Sequence, residues 1–224
     1  DLRMSRGLGD VYKRQEYKLP IGCDVPETII LADGDFPSHP LALEWLRQCP
    51  YVVCCDGAAN TYIRSGRMPE AIVGDGDSLL PDIKERYASL IHSEAEQETN
   101  DLSKAFRFCL SQERKRITIM GATGKREDHT IGNVSLLADY MEQAEVSMMT
   151  DYGIFVPIRE DSMFESYIGQ QISVFNMNST ALSAEGLAYP LSVFTNWWQG
   201  TLNEALARHF IIRTEGKVLV FRVF

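Results

Sequence analysis

The residues best suited to chemistry lie in Asp/Gly-rich breaks that follow apolar runs. In AIVGDGDSLLP (71–81) an apolar run passes directly into Gly-Asp-Gly-Asp-Ser, which sets Asp75 and Asp77 on a glycine-bent loop. If that run is a strand of an open α/β sheet, both carboxylates project beyond its carboxyl end, where ligands gather. Two hard oxygen donors there suit Mg²⁺ and the phosphates it carries. An ordinary Asp/Gly turn leading into a helix fits the same residues. EAEQETNDLSKAF (94–106) is acidic and then helical, with Asp101 in the first turn and Lys104 one turn further. The helix dipole alone favours an acid at that place.

RITIMGATGKREDHTIGN (116–133) reads as a strand, a glycine-bounded turn and a helix. Gly121 and Gly124, with Ala122 and Thr123 between them, let backbone approach a phosphate, and the helix amides beyond favour an anion. Lys125 and Arg126 add positive charge, and Asp128 is a further metal candidate. The segment is not a Walker loop, because G-x-x-x-x-G-K-[ST] is absent. His129 reads either as an acid–base group or as a structural residue at a helix start. LADGDFP (31–37) contributes Gly34 and Asp35, and CDGAAN (55–60) contributes Asp56, Gly57 and Asn60. Four such loops after successive strands converge on one sheet edge, and jointly they indicate a metal–nucleotide site.

The elements that must position these loops follow from periodicity. Strands are expected at 28–32, 51–55, 71–75, 89–93, 117–120 and 146–149, alternating with helical patterns, the signature of a largely parallel α/β sheet. Leu102, Ala105, Phe106, Cys109 and Leu110 form one helical stripe, with Thr99 or Asn100 as the N-cap, and Ile131, Val134, Leu137, Ala138 and Met141 form another. After about residue 155 the runs 171–175, 209–214 and 217–223 alternate with period two and read as antiparallel β. The fold expected is α/β: a Rossmann-like, mostly parallel sheet domain over 16–155, followed by a small antiparallel β-sandwich domain over 156–224. Residues 1–15 resemble a translated adapter and are expected to lie outside the fold.

Composition bounds the function. The 224 residues are 45% apolar and carry a net charge of −9, with no dense Lys/Arg block. The electrostatic footprint of a nucleic-acid or membrane-surface binder is missing, so the expected partners are small molecules. Five cysteines without C-x-x-C spacing read as buried free thiols in a reducing cytoplasm. Neither a membrane span nor a signal peptide is legible.

In order, CDGAAN, GDGDS, NDLSKA and GATGKREDH, followed by a β-rich tail, resemble the thiamine pyrophosphokinase family from about Glu27 onward. The resemblance implies a homodimer with active sites at the subunit interface, where pyrophosphate passes from Mg²⁺-bound ATP to the hydroxyl of thiamine. It implies that Asp75, Asp77, Asp101 and Asp128 order the substrates, with Asp75, Asp77 and Asp101 holding Mg²⁺. Gly121 to Gly124 and Arg126 match the nucleotide loop, and Gly34, Asp35, Asp56, Gly57, Asn60, Lys104 and His129 join the binding set. GLAYPL (186–191) and GTLNEA (200–205) look like the family's tail segments, which adds Asn203 and, for stacking on thiamine, Trp197 or Trp198. The tryptophans read equally as sandwich core or dimer interface. Departures are local: Glu96-Gln97 for Asp-Gln, Asn100 for Thr, Gly76 for Phe and Lys125 for a glycine. A metal-dependent phosphohydrolase and a non-catalytic nucleotide- or vitamin-binding module are the rival readings.

Overall fold

The computed structural model describes residues 14–21, 25–94, 96 and 98–224. Cys23, Gln97 and residues 1–13 of the expected leader lie outside the described residues. The parallel part comprises β2 (Thr28–Leu31), β3 (Val52–Cys55), β4 (Ala71–Gly74), β5 (Ile91–Ser93), β6 (Arg116–Met120) and β7 (Glu145–Met149). Its helices are α1 (Pro40–Gln48), α2 (Ala58–Arg64), α3 (Pro81–Arg86), α4 (Asp101–Ser111) and α5 (Glu127–Tyr140). The expected strand at 89–93 is shorter, because Ala88–Leu90 forms a 3₁₀ turn.

The central strands β2, β3 and β4 are buried on both faces, which explains their continuous apolar runs, while β5 at the edge is largely exposed. Ile30, Val53, Cys55 and Val73 face α4 and α5, while Ile29, Leu31, Val52, Cys54 and Ile72 face α1, α2 and α3. Leu102, Ala105, Phe106 and Cys109 of α4 are buried as the stripe predicts, and Asn100 is the cap, its side chain accepting from the Ser103 amide at 2.9 Å. The second stripe holds only in part. Leu137 is fully buried, but Ile131 is 59% exposed. The amino-terminal half of α5 overhangs the sheet edge and only its later turns pack on it.

The antiparallel strands are β8 (Gly153–Ile158), β9 (Ser162–Glu165), β10 (Gln171–Asn176), β11 (Leu182–Glu185), β12 (Asn203–Glu204), β13 (His209–Thr214) and β14 (Val218–Val223). They do not stand apart from the parallel sheet. One ten-stranded sheet runs β12-β10-β14-β8-β7-β6-β2-β3-β4-β5, and β8 pairs antiparallel with β7. The division expected between 155 and 156 therefore falls inside β8. A four-stranded sheet, β1-β9-β13-β11, completes the sandwich over the β8, β14 and β10 end, with Phe164, Phe210, Val174 and Val220 in its core. β1 (Gln15–Tyr17) pairs with β9, so Gln15 belongs to the fold, and residues 16 and 17 sit in the smaller sheet rather than in the α/β part. Arg222, nearly buried, donates to the carbonyls of Glu165 and Lys18 and anchors this segment.

The order of the parallel strands reverses between β2 and β6, and there two loops interlock backbone to backbone. The Gly34 amide donates to Gly121 O at 2.6 Å and the Asp35 amide to Thr123 O at 2.9 Å. A Cβ on Gly34 would overlap both the Gly121 and the Thr123 carbonyl oxygens. Gly34→Ala should therefore lower unfolding stability by about 1–3 kcal/mol or more. Gly132→Ala, where α5 leaves open space around the glycine, should raise it by roughly 0.5–1 kcal/mol. Urea midpoints of the two variants test the contrast, and a neutral Gly34→Ala would contradict the interlock.

Candidate functional site

A crevice at the carboxyl ends of the strands, beside the reversal between β2 and β6, is where an open α/β sheet places its ligand. Here a cleft of about 480 Å³ opens at that point. One wall is the β6–α5 turn, with Ala122, Gly124, Lys125, Arg126 and His129; the other is the start of α4, with Thr99, Asn100, Asp101 and Lys104. Asp33 and Gly34 from the β2 loop and Asp75 from the β4 loop also line it.

The acids converge around Gly74. A Cβ on that residue would lie 2.8 Å from Asp56 Cβ and 3.5 Å from Asp101 Cγ. Asp56 is 2% exposed; its Oδ2 accepts from the Ser78 amide at 2.9 Å, and its Oδ1 has no hydrogen-bond partner. Burial raises its pKa above the ordinary carboxylate value, and the negative charges of Asp101 and Asp75 push the same way. Asp75 lines the cleft and accepts from the Asp77 amide at 3.0 Å, a local turn that fixes its carboxylate. Among the described residues no three acidic, imidazole or thiol groups enclose a metal ion by themselves. Mg²⁺ does not require such a cage, since it is commonly held by one or two carboxylates together with substrate phosphates. A buried carboxylate oxygen without a donor, beside two more acids, fits that ion.

The cationic side is built differently. Gly121 and Gly124 have φ of 64° and 78°, the left-handed conformation that favours glycine, and Lys125 follows at 55°. For a non-glycine residue this costs roughly 1–2 kcal/mol. It explains why a glycine would be at ease at position 125. Arg126 reaches Asp128 with two bonds, at 2.6 and 3.1 Å, and that guanidinium holds the Asp128 carboxyl below its ordinary pKa. Asp128 also accepts from the His129 amide at 2.9 Å. Lys104 is 2% exposed, and its ammonium lies 3.3 Å from Asp101 Oδ1 on the cleft wall.

The cleft thus unites Asp75, Asp101, Gly34, Lys104, Ala122, Gly124, Arg126 and His129, with Asp56 beneath. Gly57 adjoins it, because a Cβ there would meet Asp33 and Ser78. Other expected residues sit elsewhere. Asp77 faces an outer hollow with Lys84 and Glu85. The Asp128 carboxylate is turned to Arg126, outside the cleft lining, and Asp35 packs against Gly124. Asn60 fastens the β4 loop by donating to Ser78 O at 2.8 Å and accepting from the Leu80 amide at 3.0 Å. Gly121 and Thr123 contribute the carbonyls of the interlock.

In the tail, Asn203 is 4% exposed and clasps Tyr189, donating to its carbonyl at 2.8 Å and accepting from its amide at 3.0 Å. That leaves it holding a loop rather than facing the cleft. Trp197 and Trp198 form a 3₁₀ turn beside β10; Trp197 packs edge-on to Phe175, and Trp198 is 72% exposed. Five strand spacings separate β10 from β2, roughly 24 Å at about 4.8 Å each. Neither indole reaches the cleft of its own chain.

Sequence reasoning passed over Asp33, Asn133 and Arg107. Asn133 donates to Ala122 O at 2.9 Å and accepts from the Asn100 side chain at 3.1 Å, joining the two walls. Arg107 donates to Glu94 at 2.7 Å, Glu96 at 2.8 Å and Thr99 at 3.1 Å, pinning the segment that leads into α4. Bonds from Thr99 and then Arg107 draw the Glu96 carboxyl down to about 2. Asn133 one α5 turn beyond His129, and Arg107 in an otherwise acidic neighbourhood, are the signals that could have found them.

Comparison with known proteins divides the chain just before β8. The family model for the thiamin pyrophosphokinase catalytic domain matches residues 42–149, and that for the thiamin pyrophosphokinase substrate-binding domain matches residues 153–221. Thiamine pyrophosphokinase 1 of Oryza sativa subsp. japonica is 30% identical over 129 residues, which cover 46% of this chain and 49% of that protein. The chain spans about half the length of the curated relatives it matches. Among solved structures, thiamin pyrophosphokinase from Candida albicans superposes with a TM-score of 0.77 at 18% identity, covering 94% of this chain and 93% of that one. Thiamine pyrophosphokinase from Bacillus subtilis gives 0.73 at 20% identity, covering 88% and 98%. At these identities the superpositions establish the shared fold.

Asp56 gives this site a signature in stability. Its folded pKa is raised, so the ligand-free fold holds the proton more tightly than the unfolded chain does. Stability from this group is greatest below the ordinary carboxylate value and falls as pH rises through the folded one. Asp56→Asn keeps the acceptor for Ser78 and removes the charge. Its melting temperature at neutral pH should rise by a few degrees, about 2–4 °C for each kcal/mol in a chain of this size. A lower melting temperature, at pH 7 relative to wild type, would contradict the crowding of acids.

Proposed function

The chain belongs to the thiamin pyrophosphokinase family, and from that premise we propose that it moves a pyrophosphoryl group from ATP to the hydroxyl of thiamine, giving thiamine diphosphate and AMP. The observation that carries the reading is the cleft itself: a buried, donor-less carboxylate oxygen with Asp75 and Asp101 on one side, and a glycine turn with Lys125 and Arg126 on the other. Such a pairing suits a polyphosphate accompanied by a divalent cation. Asp56, Asp75 and Asp101 would hold Mg²⁺, which when bound supplies neutralisation of the charge on the bridging and leaving oxygens.

The chain's own residues then bind and align. The Ala122–Gly124 backbone approaches the phosphates, Arg126 exchanges part of its bond to Asp128 for a phosphate oxygen, and Lys104 steadies Asp101. The thiamine hydroxyl oxygen attacks the β-phosphorus, and the bond from that phosphorus to the oxygen bridging the α-phosphate breaks. AMP leaves with that oxygen, and the hydroxyl proton passes to solvent or to a cleft carboxylate. Phosphoryl chemistry of this kind depends on alignment and charge neutralisation more than on a strong base. Asp77 and Asp128 act in this reading by positioning Asp75 and Arg126.

The thiamine site is proposed to be shared between two copies of the chain. The described α/β loops bring no Phe, Tyr or Trp ring into the cleft lining, whereas the tail exposes Trp198, Tyr189, Leu202 and Leu206. An exposed indole face suits a cationic thiazolium, and a second copy brings it within reach of the cleft. Cys49, Cys54, Cys55 and Cys109 are free thiols, which suits the reducing cytoplasm proposed as its compartment. Among the described residues no helix is long and apolar enough to cross a membrane.

Purified protein with Mg-ATP and thiamine should yield AMP and thiamine diphosphate in equal amounts; inorganic phosphate formed without thiamine would favour a phosphohydrolase instead. Asp75→Asn should remove most turnover, and Asp77→Asn should be milder because its amide, not its carboxylate, meets Asp75. Trp198→Ala should raise the thiamine KM severalfold, up to about thirtyfold for a loss of about 2 kcal/mol, and leave the ATP KM nearly unchanged. Equal effects on both KM values would argue against stacking.

A further inference from the structure

Beyond its charge on the cationic wall, Lys125 has two features that the proposed reaction leaves unused. Its backbone is left-handed, with φ of 55°, directly after Gly124 at 78°. Its ammonium spans the cleft mouth, 3.0 Å from Asp33 Oδ1 and 2.9 Å from Asp33 O. Both residues line the cleft.

The Asp33 carboxylate lies against the start of α2, where a Cβ on Gly57 would overlap its Oδ2. The pair is about half-exposed at both ends, 52% for Lys125 and 45% for Asp33. Ion pairs with that much solvent contact are weak and easily exchanged. The strongest competitor able to enter this cleft is a polyanion, since it offers several charged oxygens at once where Asp33 offers one carboxylate.

We infer that Lys125 is a polyphosphate-binding residue and that Asp33 is its resident counter-ion, which the incoming nucleotide displaces. The inference rests on the nucleotide reading of the cleft. The Lys125–Asp33 bond ties the β6–α5 turn to the β2 loop and offsets the cation. On binding, the ammonium turns from Asp33 to a phosphate oxygen. Asp33 thereby sets a threshold: ligands with one phosphate displace it poorly, and ligands with two or three displace it well.

Calorimetric titration of Mg-ATP into wild type, Lys125→Gly, Lys125→Met, Asp33→Asn and Asp33→Asn/Lys125→Met tests this. Lys125→Gly also relieves the left-handed strain, so its melting temperature should not fall and weaker binding would not reflect misfolding. Both Lys125 variants should weaken Mg-ATP binding roughly tenfold or more, the scale of a lost bond to a charged group. Asp33→Asn should tighten it severalfold, and that gain should vanish in the double variant. Lys125 variants that bind within about twofold of wild type would overturn the inference, as would an Asp33→Asn gain that survives without Lys125. Wild type that binds no Mg-ATP overturns the nucleotide reading and this inference together. Wild type that binds Mg-ATP but forms no thiamine diphosphate overturns the proposed reaction, and the Kd values still decide the role of Lys125.

Discussion

The Gly34 amide bonded to Gly121 O, with the Asp35 amide on Thr123 O, joins the loops leaving β2 and β6 at the point where strand order reverses. Backbone rather than side chain makes this contact, and there is no space for a Cβ on Gly34. Because the two loops cannot part, the β6–α5 turn is held over the carboxyl edge of the sheet. The cleft wall facing the acids is then fixed in place. The β4 loop is fastened separately, by Asn60 and by Asp56 through Ser78. Asn133 and Asn100 close the third side.

That rigidity is set against electrostatic strain. Asp56, Asp75 and Asp101 are drawn together at the floor of the cleft, with one oxygen of Asp56 buried and without a donor. The nearest compensation among them is the buried Lys104 beside Asp101. Such an arrangement is unfavourable by itself, and the proposed cation and polyphosphate would relieve it, as expected of sites where stability yields to function. The strain is local. Elsewhere the central strands of the ten-stranded sheet are apolar on both faces or packed under the sandwich.

Much of this was legible in the sequence because it is local. Apolar runs ending in Asp and Gly located β2, β3, β4 and β6, and the loops that follow them. The α4 stripe was likewise readable, with its cap narrowed to Thr99 or Asn100. What failed was non-local. Period-two runs in the tail declare strands but not partners, so nothing in 153–158 revealed that β8 extends the parallel sheet. The α5 stripe could not show that Ile131 lies beyond the sheet edge. Asp75 and Asp77 look equivalent in GDGDS, yet alternate residues of a tight turn point apart, and only Asp75 enters the cleft. Trp197 and Trp198 read as stacking on thiamine or as sandwich core or dimer interface, but their separation from β2 is set by strand order alone. Asp33 was passed over beside Gly34 and Asp35 because its role depends on Lys125, 92 positions away.

The central claim is that the acids at the cleft floor and the amide-rich turn opposite them form one site, completed by a divalent cation and a polyphosphate together. The most direct measurement is the calorimetric Kd of ATP with Mg²⁺ and with the cation removed by chelator. If the acids face the phosphates, ATP without the cation meets repulsion, and its affinity should fall by at least about tenfold, the equivalent of about 1.4 kcal/mol. Equal affinity in the two conditions would mean that the carboxylates and the phosphates do not share a site, and would contradict the account.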